Sequence, residues 1–202
     1  MRYVILGLAM VSVGWIPASN LERYQEKISA YVQVTHIDDI LSGIDLSQVY
    51  AQASTYDAYL NSNKLPYRMP ATGGNVFVFD PKQFKYAAYN ARGFRVKSGR
   101  ASGGALWCPD VGRSCKTPRG IFKVFKKRGF ECRSSKYPLG KGGSHMPYCS
   151  YFHQAGYAIH ASNEVPKNSH ASHGCIRLKP KEAYWLHRKF LDIGTTVVVR
   201  SY

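Results

Sequence analysis

Acidic residues are scarce in this chain. Twelve Asp and Glu residues stand against twenty-eight Lys and Arg in 202 residues, a formal net charge of +16. The shortage is local: residues 71–202 hold six acidic side chains against twenty-three basic ones, whereas residues 1–70 hold six against five. The C-terminal two thirds therefore draws anionic partners, and it has few carboxylates with which to orient a histidine. Long apolar runs are also missing after the first twenty residues, so no second apolar run of spanning length follows. No HExxH or CxxC unit occurs, so a metal centre has only weak support. No helical or Cys/His nucleic-acid module is legible, so nucleic acid is not an expected partner. Internal repeats and low-complexity segments are absent too.

What is present begins with Met1-Arg2 and the run "YVILGLAMVSVGWI". One positive residue followed by an apolar stretch of this length reads as a secretory signal peptide, residues 1–19, with Pro17-Ala18-Ser19 before the cleavage site. A short uncleaved anchor is the other reading, and either implies export. Residues 20–70 read as a helical segment. Leu21, Tyr24, Ile28 and Tyr31 share a helical face behind Asn20, and a capping box from Asp45 to Gln48 opens a second helix. Pro66, Pro70, Gly73 and Gly74 end that pattern.

From Asn75 the texture changes to strands: "NVFVFD", "KYAAYN", "GFRVKSG", "GIFKVFKK", "AGYAIHA" and a final "TTVVVRS". One late helix, "KPKEAYWLHRKF", buries Ala183, Leu186 and Phe190, with Gly194 expected to break it. Short strands, glycine-rich connections and a single helix predict a mainly β, compact, sandwich-like domain over residues 71–202.

Five cysteines are an odd number for an exported chain. Pairing sequence neighbours, Cys108 with Cys115 and Cys132 with Cys149, would staple two loops and leave Cys175 over. Spacing alone does not decide connectivity, and several thiols buried as small apolar groups remain an alternative. Cys175 lies in "SHGCIR", the most histidine-rich part of the sequence. Gly174 lets the backbone turn sharply there, and Arg177 with the basic field favours thiolate over thiol. A free thiol near pKa 8.5 is a few per cent ionised at neutral pH, and lowering that by about two units takes roughly 2.7 kcal/mol. Nucleophile is therefore the sharp reading. His160 ends the apolar stretch "YAIH", so scaffold holds its ring and makes it the candidate base. Glu164 is the only acid nearby, and a backbone carbonyl is the alternative orienting group. A zinc site from His160, His170, His173 and Cys175 is a competing use of the same residues. Of the scattered histidines, His145 in "GGSHMPY" alone invites interest.

These residues resemble the L,D-transpeptidase catalytic domain, also called the YkuD domain. The carrying motif is "IHASNEVPKNSHASHGCIRL", from Ile159 to Leu178. "TPRGIF", "GGSHMPYCSYF" and "NVFVFDPKQFKYAAY" are similar to further family segments. The resemblance covers about Gly74 to Val199 and leaves residues 20–70 unexplained. The loop between His160 and Ser172 is shorter than is usual in the family, which bears on the acceptor and leaves the chemistry in place.

The resemblance implies a peptidoglycan L,D-transpeptidase. Cys175 would attack the carbonyl between the third and fourth stem residues, forming a thioester and releasing D-alanine. His160 would take the thiol proton, the carbonyl of Ala161 would orient its ring, and backbone N–H groups at Gly174 and Cys175 would hold the oxyanion. Ser172, His173, Arg177, Asn163, His145, Met146 and Tyr148 would bind the substrate. Aminolysis by a second stem would give a 3→3 crosslink. No metal or other cofactor is implied. The expected partners are peptidoglycan stem peptides and an anionic envelope surface, the expected state is a monomer, and the expected location is the periplasm or cell wall. Two alternatives stay open: an L,D-carboxypeptidase that gives the same thioester to water, and a non-catalytic basic wall-binding module.

Overall fold

The computed structural model describes residues 64–140 and 143–202. The expected signal peptide and both expected N-terminal helices lie outside the described residues. Strand β1 (Val76–Asp80) and strand β2 (Lys85–Tyr89) form a hairpin, and β3 (Arg95–Ser102) pairs antiparallel with β2. Then come β4 (Gly120–Lys123), β5 (Lys126–Lys127), β6 (Ser150–His153), β7 (Tyr157–Ala161) and β8 (Ile176–Leu178). Helix α1 (Pro180–Lys189) and strand β9 (Thr196–Val199) close the chain. The strands form one sheet in the order β4-β9-β1-β2-β3-β8-β7-β6-β5.

Strand β3 is the joint of that sheet. Its first part pairs with β2, and its last two residues, Ala101 and Ser102, pair with Leu178 and Arg177 of β8. The two halves face each other across one core. Phe77, Phe79 and Val197 from the first half pack with Phe152, Ile159, Ile176 and Leu178 from the second, and Ala183, Leu186 and Phe190 add the helix. This is the sandwich-like, mainly β arrangement expected from the strand texture. Strand β1 has no exposed residue because both of its faces are covered: Phe77 and Phe79 enter the main core, while Val76 and Val78 meet Leu65, Met69 and Tyr89. That double burial is why "VFVF" reads as a continuous apolar run and not as alternation. Each such Phe or Val contributes about 1.5–3 kcal/mol by leaving water.

Helix α1 starts with Pro180 in its first turn, where a missing N–H costs nothing. Glu182 near its start and His187, Arg188 and Lys189 near its end complement the helix dipole. It stops at Phe190, whose N–H reaches the Leu186 carbonyl. Gly194, expected to break the helix, instead takes a φ of 90° in the turn into β9. Two strands had not been separated in the sequence. Strand β6 hides inside the "GGSHMPYCSYF" loop, and β8 is three residues long, too short to show a period. The stretch "GIFKVFKK" divides into β4 and β5, with buried Val124 between them.

Candidate active site

Strands β7 and β8 run parallel in register, with Ile159 opposite Ile176 and His160 opposite Arg177. Alternation along a strand then sorts the side chains. Ile159 and Ile176 go to the core, and His160 and Arg177 to the other face. Cys175 continues that second face one residue before β8, where its Sγ accepts the Ala158 N–H at 3.4 Å. The base candidate and the thiol therefore sit on one face of adjacent strands. Cys175 is the free cysteine; Cys108 is bonded to Cys115 and Cys132 to Cys149.

His160 is buried, and its Nδ1 lies 2.8 Å from the Ala161 carbonyl oxygen. A carbonyl only accepts, so Nδ1 carries the proton and Nε2 keeps its lone pair. Burial drives the His160 pKa down to about 4; the Ala161 carbonyl opposes this, and Arg177 adds to it. The thiol departs from the thiolate expected of it. Burial pushes the Cys175 pKa up, and the Ala158 N–H and Arg177 only partly counter that. The basic field fails to ionise the thiol because the packing around the half-buried Cys175 costs the charged form more hydration than the basic neighbours return. The resting site is thus a neutral thiol beside a neutral imidazole.

The turn that carries Cys175 is held by its own side chains. Ser172 is buried; its Oγ donates to the Cys175 carbonyl at 2.6 Å and accepts the Gly174 N–H at 3.0 Å. Gly174 has φ +121°, and a Cβ there would lie 2.4 Å from the Tyr157 ring. No other residue fits. The Gly174 N–H is committed to Ser172, which withdraws it from the expected pair of oxyanion donors. From outside, segment 103–105 clamps the turn: the Gly103 carbonyl accepts the Ala171 and Ser172 N–H groups, and Ala105 N–H donates to the Ser172 carbonyl. Gly104 is tied in turn to buried Thr117 and to the Tyr202 hydroxyl.

The remaining predicted residues divide. Met146 is buried beneath the site, in a cluster with Cys132, Cys149 and Ala158 against which Cys175 packs. Pro147 accepts the Ala161 N–H at 2.8 Å, which brings the 146–148 loop alongside His160. Tyr148 follows with a left-handed φ of 60°, its ring against Tyr184. His173 Nε2 meets both Asp110 oxygens, at 2.8 and 3.0 Å. Arg177 donates to Glu164 at 3.1 Å, so the one acid near His160 in sequence pairs with the arginine instead. Asn163 is exposed, and its backbone carbonyl accepts Lys179. His145 is exposed, bonded to the Phe130 carbonyl and set edge-on against the Phe130 ring. The sequence reading passed over Asp110, Tyr157 and Tyr202; Tyr157, which opens β7 beside the motif, offered the only local signal.

The competing four-ligand zinc set does not assemble. Both ring nitrogens of His170 are engaged, Nδ1 by the Gly103 N–H and Nε2 by the Pro81 carbonyl. The one ligand-like cluster among the described residues, Cys108, Cys115 and His173, has both sulfurs in a disulfide. A cavity of about 740 Å³, lined by Lys64, Phe84, Lys85, Arg100 and Lys167 among others, includes none of the residues around Cys175.

The family model for the YkuD L,D-transpeptidase catalytic domain matches residues 73–199. Among solved structures, an L,D-transpeptidase from Xylanimonas cellulosilytica is 31% identical over 71% of this chain and 68% of that one, with a TM-score of 0.56. An L,D-transpeptidase from Stackebrandtia nassauensis, 22% identical over 74% of this chain and 66% of that one, gives 0.56. L,D-transpeptidase 3 from Mycobacterium tuberculosis, solved with a faropenem-derived adduct, is 23% identical over 66% of this chain and 61% of that one, at 0.52. The last two speak for the fold alone. No curated protein sequence gives a significant match.

Proposed function

The chain belongs to the L,D-transpeptidase catalytic domain family, and from that premise we propose that it is a cysteine acyltransferase acting on peptidoglycan stem peptides. The observation that carries the reading is the His160 ring, with Nδ1 fixed by the Ala161 carbonyl and Nε2 free on the face that holds the unpaired Cys175 thiol.

The Cys175 sulfur attacks the carbonyl between the third and fourth stem residues while His160 Nε2 takes its proton. Both groups rest neutral, so charge separates only as the C–S bond forms and the oxyanion gathers on the Cys175 amide. Collapse of that intermediate passes the proton to the departing amine, and D-alanine leaves. The thioester keeps the energy of the broken amide, so no nucleotide is required. An incoming amine then gives its proton to His160, attacks the thioester and restores the thiol. If that amine belongs to the third residue of another stem, the product is a 3→3 crosslink. Ser172 holds the turn, Met146 packs beneath the thiol, and Tyr148 flanks the donor. The two disulfides favour an oxidising compartment outside the cytoplasm, and the basic surface suits an anionic envelope.

Product analysis on a disaccharide-tetrapeptide tests the reading. Dimers with released D-alanine support transfer. Tripeptide alone moves the assignment to an L,D-carboxypeptidase, and no product from folded protein with a reduced thiol leaves a basic binding module.

A further inference from the structure

Between Cys108 and Cys115 the chain folds back on itself: Cys108 N–H donates to the Arg113 carbonyl, and Gly112 takes a φ of +61°. The disulfide closes this loop, and the Cys115 N–H bonds it to the Ala105 carbonyl. Asp110 stands in the loop as one of six acidic residues after position 70. Its carboxylate does not pair with Arg113, three residues away, which reaches the Ser114 carbonyl and the Tyr137 hydroxyl. Both of its oxygens meet His173 Nε2 instead. Tyr137 stacks on the same imidazole, with centroids 4.0 Å apart and planes 17° apart.

We propose that Asp110 is a positioning residue for the nucleophile, acting through His173, and that the Cys108–Cys115 bond is what keeps it in place. His173 is two residues from Cys175, in a turn with no regular secondary structure. The direction of that turn is therefore set by its tie points. Ser172 and Gly174 fix it from inside, through Ser172 Oγ. The Asp110–His173 pair and the Tyr137 ring fix it from the solvent side. A side-chain contact this exposed adds little to stability, so its consequence is geometric. A displacement of the nucleophile by about 1 Å is enough to cost on the order of a hundredfold in rate.

The turnover arm of the test rests on the proposed acyl transfer; a spectroscopic arm does not. In the full chain, Asp110→Asn and a Cys108→Ala/Cys115→Ala variant are each expected to lower kcat for the tetrapeptide donor about 10- to 100-fold. KM should stay close to wild type in both variants and the urea midpoint close to it in Asp110→Asn, whereas the variant that loses the crosslink is expected to unfold at lower urea; Asp110→Glu should recover part of the loss. Combining the two changes should cost no more than either alone, because both break one connection. An unchanged kcat, a loss in Asp110→Asn that tracks its urea midpoint, or independent multiplying losses would each overturn the proposal. The ¹⁵N signals of the His173 imidazole should move in both variants, and unmoved signals also refute it. If wild type turns over no donor, the acyl-transfer reading fails while these signals still decide the clamp.

Discussion

Lowering the pH should destabilise this fold through His160, by an amount that can be worked out in advance. The ring is buried and its pKa falls from the ordinary 6.5 to about 4. Below pH 6.5 the unfolded chain binds a proton at this position that the folded chain refuses until about pH 4. Stability supplied by the neutral ring is therefore complete above pH 6.5 and is lost as the pH falls from there towards 4. At about 1.4 kcal/mol per tenfold change in proton affinity, the loss comes to about 3 kcal/mol. His170 and His187, whose pKa values burial also lowers, add in the same direction. Replacing His160 by Gln removes its share and leaves theirs. Urea unfolding of wild type and His160→Gln at intervals from pH 7.5 to 4 isolates the difference. Wild type should lose about 3 kcal/mol more than the variant across that range. Parallel curves would refute the reasoning, since they would mean that His160 titrates alike in the folded and unfolded chains.

Ser172→Ala removes a hydroxyl that serves the Cys175 carbonyl and the buried Gly174 N–H at once. Leaving these groups unpaired should cost about 1–3 kcal/mol each, read as a lower urea midpoint, and donor turnover should fall with it. Asp80→Asn should cost about 3–5 kcal/mol, because Arg200 is nearly fully buried and lies 2.7 Å from that carboxylate. Thermal unfolding at neutral pH checks this, and an unchanged midpoint would contradict it.

How much of the molecule could be read in advance follows from how local each signal is. Strands β1, β2, β7 and β9 are marked by apolar runs that a buried sheet demands, and α1 by its proline start and its spacing of Ala183, Leu186 and Phe190. Strand β8 could not be read because three residues carry no period; its existence depends on partners, β3 and β7, far away in sequence. The candidate base and thiol were legible because strand end and turn keep them within one motif. The protonation state of the thiol was not. It depends on packing by Met146, Ala158 and the Cys132–Cys149 bridge, which the count of nearby arginines does not express. Asp110 was invisible for a similar reason: 63 positions separate it from His173, and only the folded loops bring them together.

The central claim is that Cys175 is the acylated residue, and intact-protein mass with peptide mapping tests it most directly. Full-length wild type and Cys175→Ala are incubated with a penem or carbapenem, a class represented by the faropenem-derived adduct of the Mycobacterium tuberculosis structure. With Cys175 as the acylated residue, one adduct forms per wild-type chain, on the peptide that contains Cys175, and none on the variant. An adduct that persists in Cys175→Ala, or none on wild type whose thiol is shown to be reduced, would contradict it.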